Sequence, residues 1–294
     1  MKIPVFTGSA AALVTPFDET GALDLNALGG LIDWHLESGT RALVVCATTG
    51  DSATLSDKEW ETAVAFTLER VGGKIPVIAG AGKNDTAHAL RLCHRAESLG
   101  AQGLLLVTPY YNKTTQSGLI RHFTELADQT ALPILLYNVP SRTGLCFAAE
   151  TYATLAKHPR IFGVKEASGD FSLILKTKRL CPKDFVLYSG NDDQIVPILS
   201  LGGAGVISTM ANVIPRETQR ICDLWAEGNR DEAAALQIRC QPLIQALFRE
   251  VNPIPVKEAL IRMGKIKGGL RLPLVRAGSA AQRELFAAMN DFSL

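Results

Sequence analysis

The sequence predicts an α/β fold: a (β/α)8 or TIM barrel of parallel strands, followed by a small C-terminal α-helical domain. Eight short apolar runs alternate with segments of helical periodicity along the first 208 residues. The runs are continuously apolar, which is typical of parallel strands that are buried on both faces. Beyond residue 208 only helical periodicity continues. We therefore expect the barrel, which carries the active site, in residues 1–224 and the helical domain in residues 225–294.

The predicted strands are short, and most are followed by polar residues or glycine. They span residues 10–15, 42–47, 75–79, 103–107, 134–138, 161–165, 185–189 and 205–208. Inward and outward side chains alternate along a barrel strand. On the sixth strand this alternation places Ile161, Gly163 and Lys165 on one face, and Gly163 is expected to leave space below the lysine stem.

The helices between the strands show start and stop signals. Asp24 is a predicted N-cap of a helix that Gly39 ends. Ser56 and Glu59 form a predicted capping box, and a glycine pair at residues 72–73 ends that helix. From residue 215 the helical pattern is broken only at Gly228, Pro242 and the prolines of segment 253–255, which predicts several packed helices.

Composition narrows the class of protein. The chain has 294 residues, is 47% hydrophobic and carries a formal net charge of +1, so it has enough apolar residues for a large core and no basic stripe for nucleic acid. No apolar run is long enough for a bilayer, so we expect no membrane partner and a cytoplasmic location. Six widely spaced cysteines indicate reduced thiols, and five histidines without metal-ligand spacing argue against a metal.

Lys165 is the most informative single residue. It is the only charged residue in the run IFGVK and ends the sixth predicted strand. Active sites of this barrel class lie at the carboxyl ends of the strands, where a lysine amine can act as a nucleophile toward carbonyls. The alternative is a lysine whose amine reaches the surface at a strand end.

Further polar candidates follow neighbouring strands at the same end of the barrel. They are Thr48 and Thr49 after the second strand, Tyr110 and Tyr111 after the fourth, and Tyr137 and Arg142 at the fifth. A phenol such as Tyr137 can act as general acid and base on a carbinolamine if a hydroxyl such as Thr48 relays its proton. Each residue alone could equally be a packing tyrosine, a turn residue or a solvated loop arginine.

Seven segments occur in a characteristic order: CATTGDSATLS (46–56), TPYYN (108–112), YNVPSRTG (137–144), GVKEASGD (163–170), SGND (189–192), GGAGVIS (202–208) and NPIPVK (252–257). Together, and over nearly the whole chain, they resemble the dihydrodipicolinate synthase family. The resemblance implies a pyruvate-dependent class I aldolase in which Lys165 forms a Schiff base with pyruvate. The derived enamine adds to L-aspartate 4-semialdehyde, on the route to lysine and diaminopimelate.

The resemblance also implies roles for individual residues. Tyr137 corresponds to the proton-transfer tyrosine, Thr48 to its hydroxyl bridge, and Tyr111 to a third relay member supplied by a neighbouring subunit. The last role implies an oligomer, which in the family is usually a homotetramer built as a dimer of dimers. No cofactor and no metal are implied.

Substrate contacts are implied as well. Thr49 holds the carboxylate of pyruvate, and Arg142 binds the carboxylate of the semialdehyde, which suits a planar guanidinium. The backbone carbonyls of Gly190 and Ile207, and the side chain of Asn252, correspond to family positions near the pocket.

One segment departs from the family pattern. Where the family usually has G-T-T-G-E, this chain has ATTGD, with Ala47 for glycine and Asp51 for glutamate. We expect less backbone freedom before Thr48 and altered hydrogen bonds behind the loop. Two alternatives to the synthase stay open: an aldolase or lyase for N-acetylneuraminate or 2-keto-3-deoxy sugar acids, and a non-catalytic ligand-binding member. Arg142 argues against the first, because sugar-acid relatives generally lack arginine there.

A regulatory cleft for L-lysine is also implied by the resemblance. The positions that match its lining are Ser52, Ala53, Asn84, His88 and Tyr110. His88 stands where lysine-sensitive bacterial enzymes typically have a glutamate, and Asp57 and Trp60 stand where histidines are frequent. We expect weak or absent inhibition by L-lysine.

Overall fold

The computed structural model describes residues 2–294, and in these residues eight parallel strands form a closed barrel in sequence order. The strands are β1 (Gly8–Ala12), β2 (Ala42–Val45), β3 (Val77–Gly80), β4 (Gly103–Val107), β5 (Ile134–Asn138), β6 (Ile161–Glu166), β7 (Val186–Ser189) and β8 (Gly205–Ser208). Pairing of β8 with β1 closes the barrel. The predicted fold class is confirmed, and strand bounds differ from the predicted ones by up to three residues.

Helices connect the strands and cover the outside of the barrel. Within residues 2–294 they are α1 (Leu25–Glu37), α2 (Asp57–Val71), α3 (Thr86–Leu99), α4 (Gln116–Asp128), α5 (Pro140–Thr143), α6 (Ala149–Leu155), α7 (Phe171–Leu180), α8 (Ile195–Ser200), α9 (Pro215–Ala226), α10 (Arg230–Leu247), α11 (Ile254–Arg262) and α12 (Ser279–Asn290). The predicted starts are confirmed: the Asp24 side chain accepts from Ala27 N, and Ser56 and Glu59 form a capping box.

The C-terminal helices pack on the barrel. Helix α10 contacts α8, α9 and α12, and α11 contacts α12. Helix α9 packs against β1 and runs across residue 224, so the division of the chain there stays a prediction. No helix in residues 2–294 combines the length and the apolar character that a membrane span needs.

The core has two layers. Aliphatic side chains and a few aromatic ones fill the barrel interior, and a larger cluster lies between the sheet and the helices. The inner layer includes Ala10, Ala12, Ala42, Val44, Ile78, Leu105, Leu135, Tyr137, Tyr188 and Ile207. Alternate positions of each strand supply it, so a side chain's place along its strand decides whether it faces the interior.

Strand β6 interrupts this alternation. Ile161 pairs with Ile134, but Gly163 pairs with Leu135, so Phe162 is an extra residue opposite β5. The expected shared face of Ile161 and Lys165 is therefore wrong: Ile161 joins the outer layer, and Phe162 joins the inner one. The reason expected for Gly163 is also wrong, because a Cβ there would lie 2.3 Å from the carbonyl oxygen of Val186. Glycine allows the close approach of β6 and β7.

Candidate active site

The carboxyl ends of the strands open onto one mouth of the barrel, where a cavity of about 280 Å³ lies. Its wall comes from the loops after β2, β3, β4 and β5 and from the C-terminal part of the chain. The lining residues include Thr48, Asp51, Ser52, Ala53, Val107, Tyr110, Val139, Arg142, Asn252, Pro253, Pro273 and Leu274. The C-terminal helical region is thus a part of the candidate site.

Lys165 lies inside the barrel near this mouth. Its side chain is 5% exposed, and its register partners are Tyr137 on β5 and Tyr188 on β7. The Nζ atom lies 4.4 Å from the centre of the Tyr137 ring. No ion pair within residues 2–294 involves Lys165. The amine is therefore buried, held beside a phenol ring and not committed to a carboxylate.

The three residues expected to relay protons are not joined within one chain. Tyr137 is buried in the barrel interior, and Thr48 is half-buried on the cavity wall. Tyr111 is 92% exposed, in a left-handed backbone conformation with φ 69°. A phenol so exposed does not contribute to the barrel interior of its own chain.

Polar contacts connect the loop after β2 to the segment before α11. The side chain of Asn252 donates from Nδ2 to Oγ1 of Thr49 over 2.9 Å. The same Thr49 oxygen lies 3.4 Å from Oγ1 of Thr209, which follows β8. Arg142, on the short helix α5, donates from Nη2 to the backbone carbonyl of Asn252 over 2.9 Å. Thr49, Arg142 and Asn252, all predicted site residues, are therefore brought together.

Gly190 and Ile207 lie at the ends of β7 and β8. Ile207 is buried in the inner layer of the core. A Cβ at Gly190 would lie 2.7 Å from the Cβ of Ala167, so glycine is needed for the approach of these two loops. The Gly190 amide donates to the Glu166 carbonyl over 2.7 Å, which fixes the end of β7 against β6 beside Lys165.

A buried ion pair at the wall of the cavity was not predicted. Nζ of Lys257 on α11 lies 2.6 Å from Oδ2 of Asp51, and both side chains are 1% exposed. The two atoms are close but poorly aligned for a hydrogen bond, and neither has another hydrogen-bond partner in the described residues. Burial lowers the pKa of Lys257 and raises that of Asp51, and their mutual attraction opposes both shifts. The signal in the sequence was one charged residue inside each of the segments 46–56 and 252–257.

Asp192 is a second acidic residue that the site prediction left out. It lies in the turn after β7, is 2% exposed, and accepts from the backbone N–H groups of Thr209 and Met210 over 3.2 and 2.8 Å. Burial raises the pKa of its carboxyl to about 6, although the Met210 N–H and the charge of Lys165 favour the anion. An acidic residue three positions after the end of β7 was the signal in the sequence.

Glu166, next to Lys165, faces away from the barrel interior. Its carboxylate accepts from Asn138 Nδ2, from the Tyr152 hydroxyl over 2.9 Å and from the Ser168 amide over 2.8 Å. Burial raises the pKa of Glu166. The network holds the end of β6 against β5 and α6, which fixes the backbone that carries Lys165.

The backbone conformation of the ATTGD segment differs from the one that its sequence suggested. Ala47 is not among the residues with positive φ, so a glycine is not required at that position. Cys46 and Asp51 have φ of 54° and 56° instead. Aspartate is among the residues that tolerate this conformation best, which suits the shorter acid at position 51.

The residues predicted for a lysine cleft are partly brought together. Ser52, Ala53 and Tyr110 line the mouth cavity, and Asn84 donates from Nδ2 to the Tyr110 carbonyl over 3.2 Å. His88 lies in the first turn of α3, four residues after Asn84, and its Nε2 is 2.8 Å from Oδ1 of Asp57. The imidazole is therefore engaged by an acid of α2.

The arrangement has the groups that carbonyl chemistry needs. It combines a buried amine, a neighbouring phenol, threonine hydroxyls and an arginine at the entrance, all at the carboxyl ends of barrel strands. An amine with these neighbours can form a carbon–nitrogen bond to a carbonyl, and the arginine can hold an anionic substrate.

Comparisons with known proteins agree with this chemistry. The profile of the dihydrodipicolinate synthetase family matches residues 5–291. A 4-hydroxy-tetrahydrodipicolinate synthase of Caldicellulosiruptor saccharolyticus is 50% identical over 292 residues, covering 99% of both chains. The dihydrodipicolinate synthase structure of Thermotoga maritima is 44% identical with a TM-score of 0.96 and covers 99% of each chain. The DHDPS structure of Cyanidioschyzon merolae with lysine bound is 40% identical with a TM-score of 0.96, covering 99% of this chain and 100% of that one.

Proposed function

Because this chain belongs to the dihydrodipicolinate synthetase family, we propose that it is a 4-hydroxy-tetrahydrodipicolinate synthase in which Lys165 carries the reaction. The observation that carries the proposal is the buried amine of Lys165, 4.4 Å from the Tyr137 ring and without a carboxylate partner in the described residues. The enzyme is a lyase that uses a Schiff base to pyruvate.

The reaction begins at the ketone of pyruvate. The amine of Lys165 attacks C2, the carbinolamine loses water, and a protonated imine forms. Loss of a proton from the methyl group gives an enamine, whose carbon attacks the aldehyde of L-aspartate 4-semialdehyde. The amino group of the adduct then attacks the imine carbon and releases the Lys165 amine. The product is 4-hydroxy-tetrahydrodipicolinate, a step toward lysine and diaminopimelate.

Proton transfers in this sequence require a group beside the amine. The Tyr137 phenol acts as general acid for the carbinolamine hydroxyl and as general base afterwards, with Thr48 as its bridge. Tyr111 completes the relay in the neighbouring subunit, in a homotetramer built as a dimer of dimers. Its 92% exposure and its left-handed backbone support a role outside its own chain.

Two carboxylates are bound at separate places in the mouth. Thr49 and Asn252, joined by a 2.9 Å hydrogen bond, receive pyruvate, with the carbonyls of Gly190 and Ile207 nearby. Arg142 receives the carboxylate of the semialdehyde, and its contact with the Asn252 carbonyl connects the two binding places. The support for this division is that Arg142 is exposed on the cavity wall, whereas Thr49 is buried.

The alternatives that the sequence left open are less well supported. Relatives at about half identity over the full length bear the name of the synthase, not of a sugar-acid aldolase or a regulator. Arg142 lies on the cavity wall, where an acceptor with a carboxylate needs it. A cytoplasmic location stays a prediction.

L-Lysine is the proposed ligand of the cleft formed by Ser52, Ala53, Asn84, His88 and Tyr110. The support is the relative from Cyanidioschyzon merolae, whose structure has lysine bound. The pairing of His88 with Asp57 leaves the imidazole as a weaker partner for an ammonium group than a free carboxylate.

The test of the function is reductive trapping. The protein is incubated with pyruvate and borohydride, and the modified peptide is identified by mass. We expect one adduct per chain, at Lys165, and product formation only when L-aspartate 4-semialdehyde is added. Trapping at Lys257 instead, or turnover of N-acetylneuraminate at a higher rate, would overturn the proposal.

A further inference from the structure

Two contacts connect the same two segments at the mouth of the barrel. The first joins Thr49, in the loop after β2, to Asn252, which lies just before α11. The second lies two residues further along the loop and in the first turns of α11, where Asp51 meets Lys257. Asn252 of the first contact and Asp51 of the second line the cavity, and both side chains of the second contact are 1% exposed.

The second contact is set in a cluster of opposite charges around one aromatic ring. Nζ of Lys257 lies 4.3 Å from the centre of the Phe17 ring, and the guanidinium carbon of Arg271 lies 4.0 Å from the same centre. Arg271 in turn pairs with Glu59, whose carboxylate also caps α2. The charges of two carboxylates and two cationic side chains therefore compensate each other, and their contacts connect the C-terminal region to the loop after β2 and to α2.

The burial of the Asp51–Lys257 pair is costly. Taking two charges out of water offsets much of their attraction, so such pairs are weak evidence for stability. Their value can instead be geometrical, since the charges have low energy only when they are close together. Asp51 also has φ 56°, and the Thr15 hydroxyl donates to the Gly50 carbonyl over 2.7 Å, so the loop is held from two sides.

We propose that Asp51 and Lys257 are positioning residues that hold Thr49 and Asn252 together and so preform the place where the pyruvate carboxylate binds. This inference rests on the proposed function, in which Thr49 receives that carboxylate. Neither Asp51 nor Lys257 takes part in bond making. The pair acts through the distance between the loop after β2 and the start of α11.

The first test compares variants that remove charge and keep volume. Asp51→Asn keeps the shape and tolerates the left-handed backbone, but it leaves Lys257 buried without its counter-charge, so its melting temperature is expected to fall. The double variant Asp51→Asn/Lys257→Met has no buried charge at this place, and removal of a whole ion pair is often neutral for stability. In both variants we expect the KM for pyruvate to rise at least ~10-fold, because small displacements of a binding group have large kinetic effects.

Two control variants separate positioning from general stability. Glu258 is the next residue on α11, is 1% exposed in its side chain and pairs with Arg276, and neither of these two residues lines the mouth cavity. Glu258→Gln is expected to lower the melting temperature and leave the KM for pyruvate unchanged. Asp51→Glu keeps the ion pair, and it should keep the KM within ~3-fold of the original chain because the charge that anchors Lys257 remains.

The outcomes distinguish this inference from the function on which it rests. If the unchanged protein gives no borohydride adduct with pyruvate, the proposed function fails. If it gives the adduct but Asp51→Asn and the double variant keep the original KM for pyruvate, only the positioning role fails. A rise in KM in both variants, together with a double-variant melting temperature close to the original, supports the role.

Discussion

The surroundings of Lys165 and of Lys257 invite comparison, because these are the two buried lysines among residues 2–294, 5% and 1% exposed. Each amine lies near an aromatic ring, 4.4 Å from the centre of Tyr137 for the first and 4.3 Å from the centre of Phe17 for the second. The two amines differ in whether a carboxylate lies beside them. Lys257 has the Asp51 carboxylate at 2.6 Å, whereas no carboxylate in the described residues pairs with Lys165.

We expect this difference to separate the proposed structural cation, Lys257, from the proposed nucleophile, Lys165. A buried ammonium with an adjacent carboxylate is held in place by that charge, and breaking the pair leaves an unpaired ion. An amine that is held only beside a phenol remains free to form a bond to a carbonyl carbon. Burial and aromatic neighbours alone therefore do not identify a catalytic lysine, while the absence of a fixed counterion does help to identify one.

The strongest test of the comparison replaces each lysine by alanine. Lys165→Ala should remove the pyruvate adduct and lower kcat by at least ~1000-fold, because the covalent route is lost, with little change in melting temperature. Lys257→Ala should leave Asp51 buried and unpaired, which costs about 3–5 kcal/mol of stability. Thermal unfolding and adduct mass measure the two effects separately. The comparison is wrong if Lys257→Ala folds normally and loses the adduct.

Arg142 tests whether the mouth separates its two substrates. Arg142→Ala should leave the pyruvate adduct in place and lower kcat/KM for the semialdehyde by about 100-fold, because a charge-assisted contact worth roughly 1.5–3 kcal/mol is lost. Arg142→Lys should recover only a part of this, since an ammonium lacks the planar fork of a guanidinium. Steady-state kinetics with each substrate varied in turn make the measurement. An unchanged semialdehyde profile would show Arg142 to be an ordinary loop residue.

His35 extends the comparison to a buried base outside the mouth. Burial lowers the pKa of His35 to about 3, and its Nδ1 lies 3.0 Å from the Thr40 hydroxyl. Below a pH of about 6.5 the histidine binds a proton in the unfolded chain but not in the folded one. As pH falls from about 6.5 to about 3, the free energy of unfolding therefore decreases by up to about 1.4 kcal/mol per pH unit. His35→Gln should make melting temperature less dependent on pH in this window. The exposed His94→Gln is the control and should leave the dependence unchanged.

The barrel fold and the importance of Lys165 could be predicted from the sequence, but the side-chain contacts around them could not. Continuous apolar runs indicated strands because both faces of a barrel strand are buried, and Lys165 stood out because it interrupts such a run. The extra residue Phe162 was not visible, since a bulge depends on how two strands pair. The partnership of Asp51 and Lys257 was equally hidden, because it joins residues from distant parts of the chain. The contacts proposed for Tyr111 with a neighbouring subunit would lie outside a single chain.

The smallest expected effect concerns L-lysine at the proposed cleft. In this chain Nε2 of His88 lies 2.8 Å from the Asp57 carboxylate. The amine of Lys83 donates to the Ser52 carbonyl over 3.1 Å, so a cationic side chain lies near the cleft residues. An effector with an ammonium group would meet an engaged imidazole and a positive charge rather than a free carboxylate. We therefore expect weak or no inhibition by millimolar L-lysine.

The matched variant His88→Glu sharpens this last prediction. It adds a carboxylate and frees Asp57 from the imidazole, which provides a charge-assisted contact worth roughly 1.5–3 kcal/mol, or about a tenfold to hundredfold gain in affinity. The same contrast distinguishes Lys257 from Lys165, because a carboxylate at a fixed position holds an ammonium group in place. Initial rates are measured against L-lysine concentration for both proteins at saturating pyruvate. Strong inhibition of the original chain contradicts the prediction, and inhibition gained only in His88→Glu supports it.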